Sequence, residues 1–250
     1  KKNNLKFCLS VFDIQSIDRL KKYVDYFKIA SGDITNLQLL AKLSKINKPT
    51  IISTGASNFK EIRKALSYFK KRKPSILHCV ASYPTPEINL NLNSINYLKD
   101  KFENIIGYSD HSSGIQAPIY AVAIGAKIIE KHFFTSNKNQ DVGDKSVSID
   151  TREFREMVNR IRDLEKMLGT YDKNLLSIEK KFKTKIRRSL YYKNDLIKGQ
   201  RITNKNLLYL RPFNKKGFHT FDFKNKIYTL TKNIKSNELV LKKNIKVQYK

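Results

Sequence analysis

Two histidines, His111 and His132, each follow a short apolar run that ends in polar residues. Residues 105–108 lead into Ser109-Asp110-His111, and 127–130 into Lys131-His132-Phe133. If the two runs are neighbouring parallel strands, about 4.8 Å apart, both imidazoles reach one point. Two neutral His with open positions suit a divalent transition metal used as a Lewis acid. Two His that hydrogen-bond in a polar cleft fit the spacing equally well. Serines recur at comparable places: Ser31, Ser53 and Ser109 end the runs 26–30, 50–52 and 105–108, and Lys28 stands three residues before Ser31. Hydroxyls, loop N–H groups and one ammonium converging at one end of a sheet can hold a phosphate. Each serine alone is ordinary turn chemistry, so the recurrence carries the reading. His78, beside Cys79 in the middle of a run, reads as a core histidine, and His219 carries no signal.

Positioning these residues at one end of one sheet requires a repeated strand and helix. Strand-like runs at 7–11, 26–30, 50–52, 75–80, 105–108 and 127–130 alternate with amphipathic stretches at 17–27, 37–46, 59–71 and 115–124. Asn58 reads as the N-cap of the third stretch, and the Ala-rich fourth must be well buried. The polar ends at Ser31, Ser53, Ser82, Ser109 and His132 are spaced by one strand, loop and helix each, which makes a parallel sheet. Polar residues at every strand end favour a barrel over an open doubly wound sheet, which concentrates its site at one switch point. The expectation is an α/β fold: an incomplete (β/α)8 TIM barrel of about six of the eight βα units, over 1–168. Two units are expected to be missing ahead of Lys1, leaving an exposed edge on each side. Residues 151–168 form a helical stripe that Gly169 stops. A linker over 169–186, with a helical piece within 171–185, leads to a small β-rich domain over 187–250, with strands at 189–192, 207–210, 227–230 and 239–241.

The chain carries 50 Lys and Arg against 22 Asp and Glu, a net charge of +28. A charge that large raises nucleic acid, but the lysines are scattered, and only the stretch 180–188 is dense. A solvated Lys-rich surface accounts for them and would gather anionic substrates. A non-catalytic, polyanion-binding basic domain is the competing class; metal dependence separates it from an enzyme. No apolar run approaches the ~20 residues that span a bilayer, and no signal peptide is expected, so the reading is a cytoplasmic protein without nucleic-acid or membrane partners. Cys8 and Cys79 read as two reduced, buried thiols.

The ordered segments Lys28-Ile29-Ala30-Ser31-Gly32-Asp33, Ile52-Ser53-Thr54-Gly55, Leu77-His78-Cys79 with Tyr83-Pro84-Thr85-Pro86, Gly107-Tyr108-Ser109-Asp110-His111 and Ile129-Glu130-Lys131-His132-Phe133 resemble the sialic acid synthase (N-acetylneuraminate synthase) family. The tail from Arg187-Arg188-Ser189-Leu190 to Leu210-Arg211-Pro212 resembles that family's C-terminal antifreeze-like (SAF, β-clip) domain. The resemblance implies condensation of phosphoenolpyruvate with an N-acylated mannosamine-type aldose, releasing phosphate. It implies that Lys28, Ser31, Ser53 and Ser109 bind phosphoenolpyruvate, and that His111 and His132 bind Mn²⁺ or a similar ion. Tyr83 and Asp144 would line the sugar site and, with Lys28 and Asp33, make up the catalytic set. Arg211 would reach the sugar from the partner subunit of a domain-swapped homodimer. A legionaminic or pseudaminic acid synthase of the same family is the alternative. Departures from the family pattern stand at Val11 in Ser10-Val11-Phe12-Asp13, at Ala81 in place of an Asn, and at Val142-Gly143-Asp144-Lys145; the family's early Lys and Glu are not in this chain.

Overall fold

A computed structural model of the chain describes residues 3–135, 143–223 and 226–248. The chain divides into two compact units, Lys1–Thr170 and Tyr171–Lys250.

In the first unit six short strands form one parallel sheet in chain order: β1 (Cys8–Ser10), β2 (Tyr26–Ile29), β3 (Thr50–Ser53), β4 (Ser75–Cys79), β5 (Ile106–Asp110) and β6 (Ile129–Lys131). Each crossover carries one helix: α1 (Ile14–Leu20), α2 (Leu37–Leu43), α3 (Phe59–Leu66), α4 (Ser94–Lys101) and α5 (Gln116–Ala123). The sheet is a half-barrel. Among the described residues β1 hydrogen-bonds only to β2 and β6 only to β5, so both edges stay open. Cys8 is exposed on the β1 edge, which corrects the expectation that both thiols are buried; Cys79, on central β4, is buried.

The caps follow the sequence. Asn58 accepts from the backbone of Lys60 and Glu61, and Glu61 returns a bond to the Asn58 N–H, a complete capping box. α3 is shorter than expected because Ser67 Oγ donates to the Lys64 carbonyl, 2.7 Å, at its C-terminus. α1 likewise ends at Leu20, before the 17–27 stretch is used up. α6 (Thr151–Leu168) has the expected bounds, opens on the Asp150–Glu153 capping box and packs on α5 through Val122, Ile149, Met157 and Ile161. Ile17, Phe27, Ile29, Leu40, Ile52, Ile76 and Ile95 lie at the centre of the main core, between sheet and helices.

In the second unit α7 (Ser177–Ile186) is the helical piece expected within the linker. β7 (Ser189–Tyr192) pairs with β9 (Leu207–Leu210); β8 (Arg201–Ile202), β10 (Ile227–Leu230) and β11 (Ile245–Gln248) make a second small sheet. The expected strand at 239–241 is not one: Leu239 makes a single bridge to Tyr191. Its core gathers Leu190, Tyr192, Phe218, Tyr228 and Val240. Among the described residues no helix is long and apolar enough to cross a membrane.

Candidate active site

Side chains alternate across a strand, and directly paired residues of parallel neighbours point to the same face. The register sets Cys79 opposite Ser109, Ser109 opposite Glu130, and Asp110 opposite Lys131. The two faces therefore carry different chemistry.

The first face lines a cavity of about 410 Å³ at the C-terminal strand ends. Lys28, Ser31, Ser53, Tyr83, Ser109, His111 and His132 all line it, so seven of the expected site residues meet there. Ser53 Oγ is buried and has no hydrogen-bond partner among the described residues. Ser31 Oγ accepts from the Gly55 N–H at 3.0 Å. A Cβ at position 55 would lie 2.8 Å from Ser31 Oγ and 3.1 Å from Cys79 Sγ, so only glycine lets the β3–α3 turn come this close. Ser10 lines the cavity, whereas Val11 is buried in the core, so the hydroxyl facing the site at the end of β1 belongs to Ser10.

Glu130 was not singled out in the sequence. Its carboxylate meets Lys28 Nζ at 3.1 Å and accepts from Ser109 Oγ at 2.7 Å. Period-two alternation back from His132 is the signal that would have found it.

His111 and His132 converge, with ring centroids 5.3 Å apart. Tyr83 stacks on His111 at 4.0 Å, held in the loop that follows β4. His111 Nδ1 lies 2.8 Å from the Val80 carbonyl, which can only accept, so Nδ1 carries the proton and Nε2 presents a lone pair. Burial works to lower the His111 pKa, but the Cys79 thiol and the Val80 carbonyl outweigh it and raise the imidazole overall. Cys79 Sγ is 3.7 Å from the same Nδ1; burial pushes this thiol up, and hydrogen bonds from His111, Ser31 and Ser109 bring it below its ordinary value. His132 is lowered, chiefly by burial, against the pull of Asp144, whose Oδ2 lies 3.5 Å from Nδ1. The Tyr83 phenol is raised by burial and by the Cys79, Asp144 and Glu130 charges.

Two oriented imidazoles, one fixed by a carbonyl as metal-ligating histidines commonly are, fit a divalent ion as two of its ligands. Among the described residues no group of three or more His, Cys, Asp or Glu forms a complete protein cage. Other positions would fall to water or substrate.

Three expected residues lie elsewhere. Asp33 does not line the cavity; it sits in the short turn Ser31–Asp33, and its carboxylate accepts from Asn36 at 3.4 Å. Asp144 does not line the cavity but touches His132, and Val142 lies outside the described residues. Arg211 belongs to the second unit, directly after β9.

On the second face Asp110 and Lys131 form a fully buried ion pair at 2.7 Å. Asp110 Oδ1 also accepts from Tyr108 Oη at 2.8 Å and the Ser112 N–H at 2.9 Å, and Lys131 donates to the Ser112 carbonyl. This network ties the ends of β5 and β6 together one residue before each histidine. His78 is buried as expected, its Nε2–H donating to the Leu90 carbonyl at 2.8 Å.

The profile of the NeuB family matches residues 1–173. An N,N'-diacetyllegionaminic acid synthase of Campylobacter jejuni is 39% identical over 247 residues, 96% of this chain and 73% of that protein. A pseudaminic acid synthase of the same species is 38% identical over 81% of this chain and 60% of its own length. The crystal structure of an N-acetylneuraminic acid (sialic acid) synthetase from Leptospira borgpetersenii superposes with a TM-score of 0.68 at 39% identity, covering 72% of this chain and 64% of that one. The chain thus spans about two thirds of the length of these relatives. The chain, with its half-barrel and five ordered strand-end segments, belongs to the NeuB family, alongside relatives that are legionaminic, pseudaminic and sialic acid synthases.

Proposed function

We propose that the cavity binds phosphoenolpyruvate and an N-acylated mannosamine-type aldose and joins them to a nonulosonic acid, releasing phosphate. The observation that carries this reading is Ser53 Oγ, a buried hydroxyl without a partner among the described residues, in a cavity it shares with Lys28, Ser31, Ser109 and two converging imidazoles. An unsatisfied buried hydroxyl is costly, and a phosphate oxygen would satisfy it. Lys28 supplies the countercharge, and Glu130 holds both Lys28 and Ser109 in place before the anion arrives.

In the reaction, carbon 3 of phosphoenolpyruvate attacks the aldehyde carbon and the aldehyde oxygen becomes a hydroxyl. Water adds at carbon 2, and the tetrahedral intermediate breaks its C–O bond to expel phosphate. The serines and Lys28 act on charge that grows as phosphate leaves, where stabilisation lowers the barrier. His111 and His132 would hold Mn²⁺ or a similar ion, whose chemistry is to polarise a carbonyl oxygen. Tyr83 and Asp144 orient the sugar. The second unit is taken as the antifreeze-like domain, with Arg211 offered to a partner subunit's site in a domain-swapped homodimer. The likeness to the legionaminic acid synthase over 96% of the chain favours a second reading of the acceptor, a diacetylated amino sugar.

Two titrations test the proposal. Calorimetry should find phosphoenolpyruvate binding, and Mn²⁺ binding followed by electron paramagnetic resonance should be lost in His111→Ala. A chain that binds neither is not such a synthase.

A further inference from the structure

The second unit holds a cavity of its own, of about 490 Å³. Three segments build it: Arg187 and Arg188 leading into β7, Tyr209 on β9, and Phe213, His219 and Phe221 in the stretch after β9. Hydrogen bonds hold these segments together. Arg188 Nη1 donates to the Tyr209 carbonyl at 2.6 Å, the Phe213 N–H to the Thr184 carbonyl at 2.7 Å, and the Asn214 N–H to Ser189 Oγ at 2.7 Å. Arg211 does not line the cavity. Among the described residues no Asp, Glu, Asn or Gln lines it either, so it offers few acceptors for the hydroxyls of a sugar. It offers cations and rings instead. Arg187 and Arg188 are exposed, and Arg188 spends one of its N–H groups on Tyr209. Two guanidiniums on successive residues suit the doubly charged phosphate of a monoester. His219 stands between the Phe213 and Phe221 rings, with centroids 6.0 and 5.6 Å away. Its Nδ1 accepts from the Phe221 N–H at 3.3 Å, so in the neutral ring Nε2 carries the proton and is a further donor. Phe221 is 72% exposed, and such a ring beside guanidiniums is a face on which a planar base can stack. The rings surround one cavity, whereas a binder of nucleic-acid strands presents rings to successive bases along a groove.

We propose that this cavity binds a nucleoside monophosphate, with the base on the Phe221 and His219 rings and the phosphate on Arg187 and Arg188. The site lies wholly within the second unit and does not rest on the synthase reading. The net charge of +28 raises the local concentration of such an anion, and the rings supply the selectivity that charge alone lacks.

The test uses calorimetry and saturation-transfer NMR on the full chain, with excess phosphoenolpyruvate present to compete for the strand-end cavity. The probes are AMP, UMP and ribose 5-phosphate, which keeps the phosphate and lacks the base. The expected result is that both nucleotides bind at least tenfold more tightly than ribose 5-phosphate. Phe221→Ala should weaken AMP and UMP at least fivefold and leave ribose 5-phosphate unchanged, whereas Arg187→Gln should weaken all three. Both side chains are exposed, so both variants keep the fold, which circular dichroism checks. Ribose 5-phosphate binding as tightly as AMP would reduce the site to a plain cationic patch and overturn the proposal. So would an absence of nucleotide binding, or nucleotide affinities that neither variant moves. A single-stranded decaribonucleotide that binds a hundredfold more tightly than AMP, and loses affinity in both variants, would overturn the mononucleotide in favour of RNA.

Discussion

Ser53 is 1% exposed and its Oγ has no partner to donate to or accept from among the described residues, and this makes it a sharper probe than the other two serines. Ser31 and Ser109 already bond to Gly55 and Glu130, so removing either hydroxyl disturbs the protein as well as any ligand. In Ser53→Ala no protein hydrogen bond is lost. Phosphoenolpyruvate affinity should fall by roughly 1–3 kcal/mol, the range for a hydrogen bond to a charged group, while the melting temperature stays level or rises. Calorimetry and thermal unfolding on the same preparations check both halves; an unchanged affinity counts against the phosphate assignment. The strand-end serines and histidines were legible because their recurrence marks one end of one sheet. Glu130 was overlooked although alternation back from His132 points to it, and the contact of Cys79 with His111 was not legible, because it depends on register between strands that are remote in sequence. Asp33 entered the expected site through the family resemblance, but the short turn there directs it to Asn36.

At the level of elements, β5 and β6 are locked by Asp110 and Lys131, both fully buried. Removing one partner leaves the other charge buried and uncompensated, which typically costs about 3–5 kcal/mol. Lys131→Met should lower stability by that order in denaturant unfolding and should loosen His132, one residue on. A loss under 1 kcal/mol would mean that water reaches the pair. β4 carries a second buried titratable group. Burial lowers the His78 pKa below the ordinary 6.5 while Leu90 opposes it, and the Tyr108 ring stacks on it at 5.8 Å. A lowered folded-state value means that the unfolded chain binds the proton more readily. The stability associated with His78 is therefore complete above about pH 6.5 and is lost as pH falls toward the folded value. Thermal unfolding at pH 7.5 and 5.5 should show a smaller loss in His78→Gln, whose amide can still donate to Leu90, than in the parent chain. The alternation of strands and helices was legible from period and caps, and α6 keeps its expected bounds. α4 was missed because four of the residues between Ser94 and Lys101 are Asn, Lys or Asp and its apolar face is only Ile95 and Leu98. β11 was missed for a related reason: only Ile245 of its four residues is buried.

At the scale of the described chain, the parallel sheet is open on both sides. β1 and β6 each leave one row of backbone N–H and C=O groups without a strand partner among the described residues; past β6 only the Phe133–Ile149 bridge covers the line. Leu5, Phe7 and Phe12 beside β1, and Phe133 beside β6, are exposed. Unpaired edges flanked by apolar side chains pair readily with other chains. Ser10 of β1 and Glu130 of β6 line the cavity from the two edge strands and are half-buried, and water that reaches them screens each contact to a bound anion. The relatives named above are longer, and a polypeptide that adds two strands to bridge β1 and β6 would close both edges and the cavity together. We therefore expect residues 1–250 alone to self-associate with rising concentration and to turn over slowly, and a longer form that pairs both edges to be monodisperse and faster by at least tenfold. Sedimentation velocity follows the first effect. Phosphate release with Mn²⁺, phosphoenolpyruvate and N-acetylmannosamine or its diacetamido analogue follows the second. Equal turnover by a monodisperse 1–250 would show that the half-barrel holds its site without closure, and that Lys28, the three serines and the two histidines suffice.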